Sequence, residues 1–214
     1  MAQPARRPAL NEFFQWETQS LVEVVQDLTT DEKAYFMPLE ILTSYFIAND
    51  SSALKSIISE VFETEFPPID PDIILRSHTA VFCILLRLGQ GQFIEDFVQF
   101  EELSDIRLPF DSNHPPAEFS FANDDPDFLQ RFCEKQWMYC VPVFNRHMLH
   151  KHFGPQRLLP ITYKESLVKE GVLDRSVIKL YGPHNRLNDS GKEKVRHTPY
   201  YSLPFLRLTR LGNE

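Results

Sequence analysis

Residues 158–185 read LLPITYKESLVKEGVLDRSVIKLYGPHN. The stretch reads as two strands joined by a short turn, because β-branched alternation sets in at Leu158 and turn residues bound it. Upstream the texture differs: apolar residues fall at helical spacing, separated by polar and proline-rich punctuation. Together these predict an α+β fold, a multi-helix body to about residue 145 followed by a small antiparallel β unit. Working outward from the hairpin, the chain divides into a helical domain (1–102), an acidic proline-rich loop (103–125), a connecting helix with a basic linker (126–157), and a β segment with a basic tail (158–214).

In the body, residues 10–28 place Phe13, Phe14, Leu21, Val24, Val25 and Leu28 at helical spacings and predict one helix. Thr30-Asp31-Glu32-Lys33 then reads as an N-cap with acids in a first turn. Pro38 suits the first turn of a helix over 39–48, Asn49-Asp50-Ser51-Ser52 breaks it, and 53–62 resumes as a short amphipathic helix. Residues 72–88 are almost continuously apolar and predict a central buried helix, ended by Gly89-Gln90-Gly91 and followed by a short helix over 92–100. Loops as long as 103–125 are usually functional or linkers. Pro126 opens a helix over 127–139 that carries Phe128, Phe132, Trp137 and Met138. The tail 188–196 is polar and basic. Residues 198–208 read as a last strand, where Pro199 and Pro204 suit an edge strand or coil.

A chain of 214 residues suits one large domain or two small ones. Eighteen Phe against two Trp predict a Phe-rich helical core. The net charge of −8 is unevenly placed: residues 1–150 carry 24 acids and 10 bases, residues 151–214 carry 6 and 12. The acidic balance argues against a nucleic-acid partner. The basic tail's simplest partner is the chain's own acidic half, with a phosphate ligand as the alternative. Cys83, Cys133 and Cys140 are odd in number and lie in apolar runs, which predicts buried, reduced thiols and an intracellular location, the cytoplasm first with the nucleus left open. The longest apolar run, 80–86, is too short to span a bilayer. Residues 1–14 carry two arginines and no apolar core of signal-peptide length, so no membrane partner is expected.

Residues 128–144, FLQRFCEKQWMYCVPVF, are followed by Leu159-Pro160-Ile161, Val177-Ile178-Lys179 and Pro183-His184. Over about sixty residues this order resembles the region upstream of, and entering, the kinase domains of filamentous-fungal proteins. The resemblance implies that the hairpin is a vestige of a kinase N-lobe. Its departures are specific. A kinase glycine loop, G-x-G-x-x-G-x-V, lets backbone N–H groups close over ATP phosphates. Counting back from Val177, those glycine positions hold Arg175, Val172 and Glu170, and Gly171 lies one residue out of place. Glu170 and Asp174 would repel phosphate. Lys192 and Lys194 lie in a polar run, residues 200–208 contain no lysine, and no V-A-I-K, H-R-D or D-F-G motif occurs.

Two functions are carried forward. The first is a non-catalytic interaction or regulatory module that needs no cofactor. It would bind a protein partner, a full-length kinase relative among the candidates, through Phe132, Gln136, Trp137 and Phe144 and the acidic loop. The alternative is an incomplete fragment of an active ATP-dependent serine/threonine kinase, with the catalytic lobe beyond residue 214. In it ATP would be the cofactor, and Gly171, Val177 and Lys179 would mark the nucleotide-proximal hairpin. A hairpin of no kinase ancestry on a helical body presents the same pattern.

Other constellations are weaker. Cys133, Cys140, His147 and His150 form a C-x6-C-x6-H-x2-H series. It lacks the tight C-x2–4-C knuckle of structural zinc sites, so buried core cysteines are the plainer reading. His147, His150 and His152 with Lys151 suit a solvated basic linker better than a metal or phosphate contact. Cys140 with His147 as base is disfavoured by the apolar MYCVPVF context, which raises a thiol pKa. Asp124, Asp125 and Asp127 read as helix N-terminal acids before a hard-cation site. No Ser–His–Asp motif, P-loop or dinucleotide fingerprint appears.

Overall fold

The computed structural model describes residues 7–27, 32–122, 125, 127–145, 148, 153–154, 156–170, 173–187 and 201–202. The chain is α+β and divides into two compact units, residues 1–22 with 37–140 and residues 23–36 with 141–214.

The first unit is helical. It holds α1 (Pro8–Ser20), α2 (Leu39–Phe62), α3 (Pro71–Ser77), α4 (Thr79–Arg87), α5 (Ile94–Phe97) and α6 (Phe128–Lys135), with 3₁₀ turns between the later helices. Helix α4 is apolar on every face and buried from Thr79 through Leu86, as a helix without a polar stripe must be. Its own Phe82 is fully buried, as are Phe13, Phe46, Phe97, Phe128 and Phe132 of the same core. Each such side chain contributes about 1.5–3 kcal/mol of transfer free energy. The rings interlock, with Phe97 stacked on Phe132 at 5.5 Å and Phe119 edge-on to Phe97 at 5.4 Å.

The break in α2 lies where the polar run places it: Asn49, Asp50 and Ser51 adopt left-handed φ of 50°, 56° and 58°. The end of α4 also follows its glycine. Gly89, at φ 69°, donates its N–H to Leu86 O while Gln90 N–H reaches Leu85 O. Gly91 is required for another reason: a Cβ there would meet Leu86 Cδ2 at 2.9 Å and both Val61 methyls at 3.0 Å. The predicted central helix over 72–88 is instead two helices. His78, at φ −136° and ψ 22°, separates α3 from α4 and turns the chain.

The second unit is built of strands: β1 (Val22–Asp27), β2 (Glu32–Phe36), β3 (Phe144–Asn145), β4 (Ile161–Glu170), β5 (Leu173–Leu180), β6 (Asn185–Arg186) and β7 (Tyr201–Ser202). β4 and β5 form the expected antiparallel hairpin, with Ile161 opposite Leu180 and Glu170 opposite Leu173. β7 continues that sheet beside β5, β3 pairs in parallel with β6, and β1 pairs with β2. The core is Phe144, Leu159, Ile161, Ile178, Leu180 and Leu187, with Val25 and Phe153 packed on it. Buried His184 sets Nδ1 3.1 Å from the Pro142 carbonyl and meets Phe36 edge-on.

Residues 22–36 correct the sequence reading. The helix predicted over 10–28 ends at Ser20, and Leu21 turns to extended backbone at ψ 139°. Val22, Val24 and Val25 are β-branched and favour the strand that follows. Glu32 and Lys33, expected in a helical first turn, lie in β2, where Lys33 Nζ pairs with Glu23 at 2.6 Å. Thr30 and Asp31, the other half of that predicted cap, lie outside the described residues, as does the tail over 188–196. Of the strand predicted over 198–208, Tyr201 and Ser202 are described. Among the described residues no helix is long and apolar enough to cross a membrane.

Candidate functional site

The first unit carries a cleft of about 610 Å³. Its walls come from the start of α2, from α3 and its junction with α4, and from the turn over 101–106. Leu39, Ile73 and Ile106 line it and stand 41%, 37% and 83% exposed. Three large aliphatic side chains left in water around one concavity mark a binding surface, whereas isolated ones do not. The volume suits a few side chains of a ligand.

Most polar groups on the floor are engaged within the fold; His78 Nε2 is buried with no hydrogen-bond partner among the described residues. Asp105 accepts the N–H groups of Ala80 and Val81 at 3.0 and 2.9 Å, capping the N-terminus of α4 from 24–25 residues away. Thr79 Oγ1 donates to Ile74 O at 3.1 Å, and Ser104 Oγ donates to Glu101 O at 2.6 Å. Ser77 Oγ lies 2.8 Å from His78 Nδ1 and 3.4 Å from Ile73 O. The arrangement that satisfies both contacts has Nδ1–H donating to Oγ and the hydroxyl donating to the carbonyl, which leaves the serine unactivated as a nucleophile. Burial holds the His78 pKa below its ordinary value.

Asp105 gives the floor a pH dependence. Burial pushes its carboxyl up to about 6, against the opposing pull of the Val81, Ala80 and Thr79 amides. A carboxyl whose folded pKa lies above its unfolded value of 3.8 contributes stability in full below pH 3.8 and loses it as pH rises through 6. His78, Arg76 and Glu101 line the same cleft, and Cys83 lies further along α4. The wild-type chain should therefore lose about 3 kcal/mol relative to Asp105→Asn between acid and neutral pH. Urea titrations of both proteins across that range check this, and a difference that stays flat with pH would refute it.

A second polar group lies inside the same unit. Arg87 Nη2 is 2.8 Å from Glu17 Oε2, Arg87 Nε donates to the Tyr139 hydroxyl at 3.1 Å, and that hydroxyl donates to Glu17 Oε1. Burial, with the carboxylate beside it, pushes the Tyr139 pKa well above its usual value, so the phenol stays a donor. Cys83 is fully buried and its thiol pKa is pushed up in the same way. These groups tie α1, α4 and the segment after α6 together.

The residues singled out from sequence fall into different places. Phe132 and Gln136 are fully buried in the first unit and Phe144 is buried in the core of the second. Expected to form an interaction surface, these three are corrected to interior residues, since a buried side chain offers a partner nothing to touch. Trp137 is half-buried. The acidic loop is corrected in part, because Asp105 belongs to the α4 cap and Phe110 and Phe119 to the core. In the hairpin Val177 is buried and Lys179 exposed opposite Tyr163, while Gly171 lies outside the described residues. Cys83, Cys133 and Cys140 are buried, Cys133 directing Sγ to Phe110 O at 3.5 Å. His147, His150, Lys151 and His152 lie outside the described residues, as does Asp124. Asp125 pairs with Arg131, and among the described residues no cluster of His, Cys, Asp or Glu could hold a metal ion.

Sequence reading missed Leu39, Ile73, Ile106 and Asp105. Ile106, an aliphatic set between Asp105 and Arg107, was the one legible signal. No family model, no curated protein and no solved structure matches the chain.

Proposed function

We propose that the chain is a non-catalytic protein-interaction module, related by descent to the amino-terminal part of fungal protein kinases. The observation that carries the docking role is the cleft: three exposed aliphatic residues from separate elements surround a concavity, and Asp105 and Thr79 on its floor are engaged within the fold. The antiparallel hairpin β4–β5 supports the ancestry, and the missing glycines of a kinase loop in its sequence oppose a phosphate-binding role. The buried free thiols of Cys83 and Cys133 support an intracellular, reducing location, the cytoplasm first.

A random-peptide display selection on the full chain tests the docking role. Peptides should be enriched on the wild-type protein and lost on Ile73→Asp, which places a charge on the rim of the cleft. Selected peptides that bind both proteins equally would place docking elsewhere and refute the reading. Calorimetry with MgATP tests the absence of catalysis, and micromolar binding there would favour the kinase-fragment alternative.

A further inference from the structure

We infer that the occupant of this cleft is a cationic amphipathic peptide segment of another protein, seating aliphatic side chains against Leu39, Ile73 and Ile106 and placing Lys or Arg over Asp72, Glu101 and Glu102. The inference rests on the docking reading and adds the chemistry of the partner. Asp72 and Glu101 are exposed and adjoin or line the cleft, and exposed Glu102 follows Glu101. The cations of the same rim are Arg76, which lines it, and Arg107, beside Ile106. Arg76 Nε is directed at the Asp72 carbonyl at 3.3 Å. The acids of the rim thus outnumber its bases, and the unit behind it reinforces their sign. Residues 1–22 with 37–140 contain 20 acids and 8 bases, a net charge of −12.

That field selects among occupants. Nucleic acid and anionic lipid surfaces are repelled by it. A second copy of the same unit is repelled too. The most exposed aromatic of such a copy among the described residues, Phe66 at 88%, is flanked by Glu63 and Glu65 and would carry acid onto acid. A peptide with aliphatic anchors and basic flanks meets both the apolar walls and the charge, the pattern of helix-in-groove recognition.

Fluorescence anisotropy on the full chain tests this with two labelled synthetic peptides. One has leucines at i, i+3, i+4 and i+7 with lysines between; the other replaces every lysine with glutamate. The lysine peptide should bind at least about tenfold more tightly than its glutamate analogue, and the difference should shrink as salt is raised. Ile73→Asp should abolish binding, and Glu101→Lys with Glu102→Lys should weaken the lysine peptide about tenfold or more. Glu134→Lys, on α6 and outside the cleft lining, should leave it unchanged. Equal binding of both peptides, lost on Ile73→Asp, would overturn the cationic inference and leave the docking reading intact. Equal weakening by Glu134→Lys and by the rim reversals would show diffuse attraction and overturn it as well. Failure of both peptides to bind, with display-selected peptides still lost on Ile73→Asp, would overturn the inference alone.

Discussion

Replacing Glu17 with alanine is expected to destabilise the chain by about 3–5 kcal/mol, the cost of leaving one half of a buried ion pair without its partner. Glu17 is 0% exposed on α1, and its carboxylate takes contacts from Arg87 on α4 and from Tyr139 beyond α6. Three segments far apart in sequence therefore meet at one carboxylate. A loss of that size is a large fraction of the roughly 5–15 kcal/mol that holds a typical domain folded. The Arg87 side chain is 26% exposed, so after the deletion its guanidinium partly regains water and the cost belongs at the lower end. The double variant Glu17→Leu with Arg87→Leu should recover much of the loss, because it leaves no uncompensated charge. Tyr139→Phe should cost about 1–3 kcal/mol, since one carboxylate lone pair then lacks its donor. Urea titrations of the four proteins decide it. A double variant no more stable than Glu17→Ala would mean that the carboxylate and the guanidinium do not act as one unit.

How much of this was readable beforehand depends on whether the deciding partner was local. The hairpin was legible because its strands pair with each other across a short turn, and α4 because a run of apolar residues with no polar stripe has only one place to go. Residues 21–27 were not. Leu21, Val24, Val25 and Leu28 satisfy helical spacing, while the valines favour extended backbone, and their pairing with 32–36 decided between the two. The polar roles were hidden for a related reason. Glu60 caps α1 by accepting the N–H groups of Ala9 and Leu10 at 2.8 and 3.0 Å, some fifty residues away in sequence. Asp105 does the same for α4. Sequence spacing carries no trace of such a cap. The cleft was invisible on the same ground, because Leu39, Ile73 and Ile106 belong to three elements and are each unremarkable alone.

Gln136→Leu is expected to cost about 2–5 kcal/mol, although it conserves size and adds apolar surface to an apolar surrounding. The reason is the backbone of Phe110. Its N–H donates to Gln136 Oε1 at 2.7 Å and its carbonyl accepts from Gln136 Nε2 at 2.8 Å, so one side-chain amide stands in for a paired strand. With leucine there, both backbone groups stay buried and lose those partners, at about 1–3 kcal/mol each. The Cys133 thiol at 3.5 Å is a weak donor and offsets little of this. Phe110 also fixes the long loop to the core through its edge-on contact with Phe119 at 5.3 Å and its contact with Phe132 at 5.6 Å. Loosening it should therefore lower the hydrogen-exchange protection of the loop more than that of α1. Gln136→Glu separates hydrogen bonding from packing. A protonated glutamic acid can donate to the carbonyl and accept from the N–H, whereas its carboxylate can only accept. Its pKa in the folded chain must then lie above the unfolded value, so Gln136→Glu should approach wild-type stability in acid and lose it as pH rises. Unfolding of both variants at acid and neutral pH reads this directly. A Gln136→Leu protein within about 1 kcal/mol of wild type, or a Gln136→Glu protein with no pH dependence relative to wild type, would show that water or relaxation satisfies Phe110 instead.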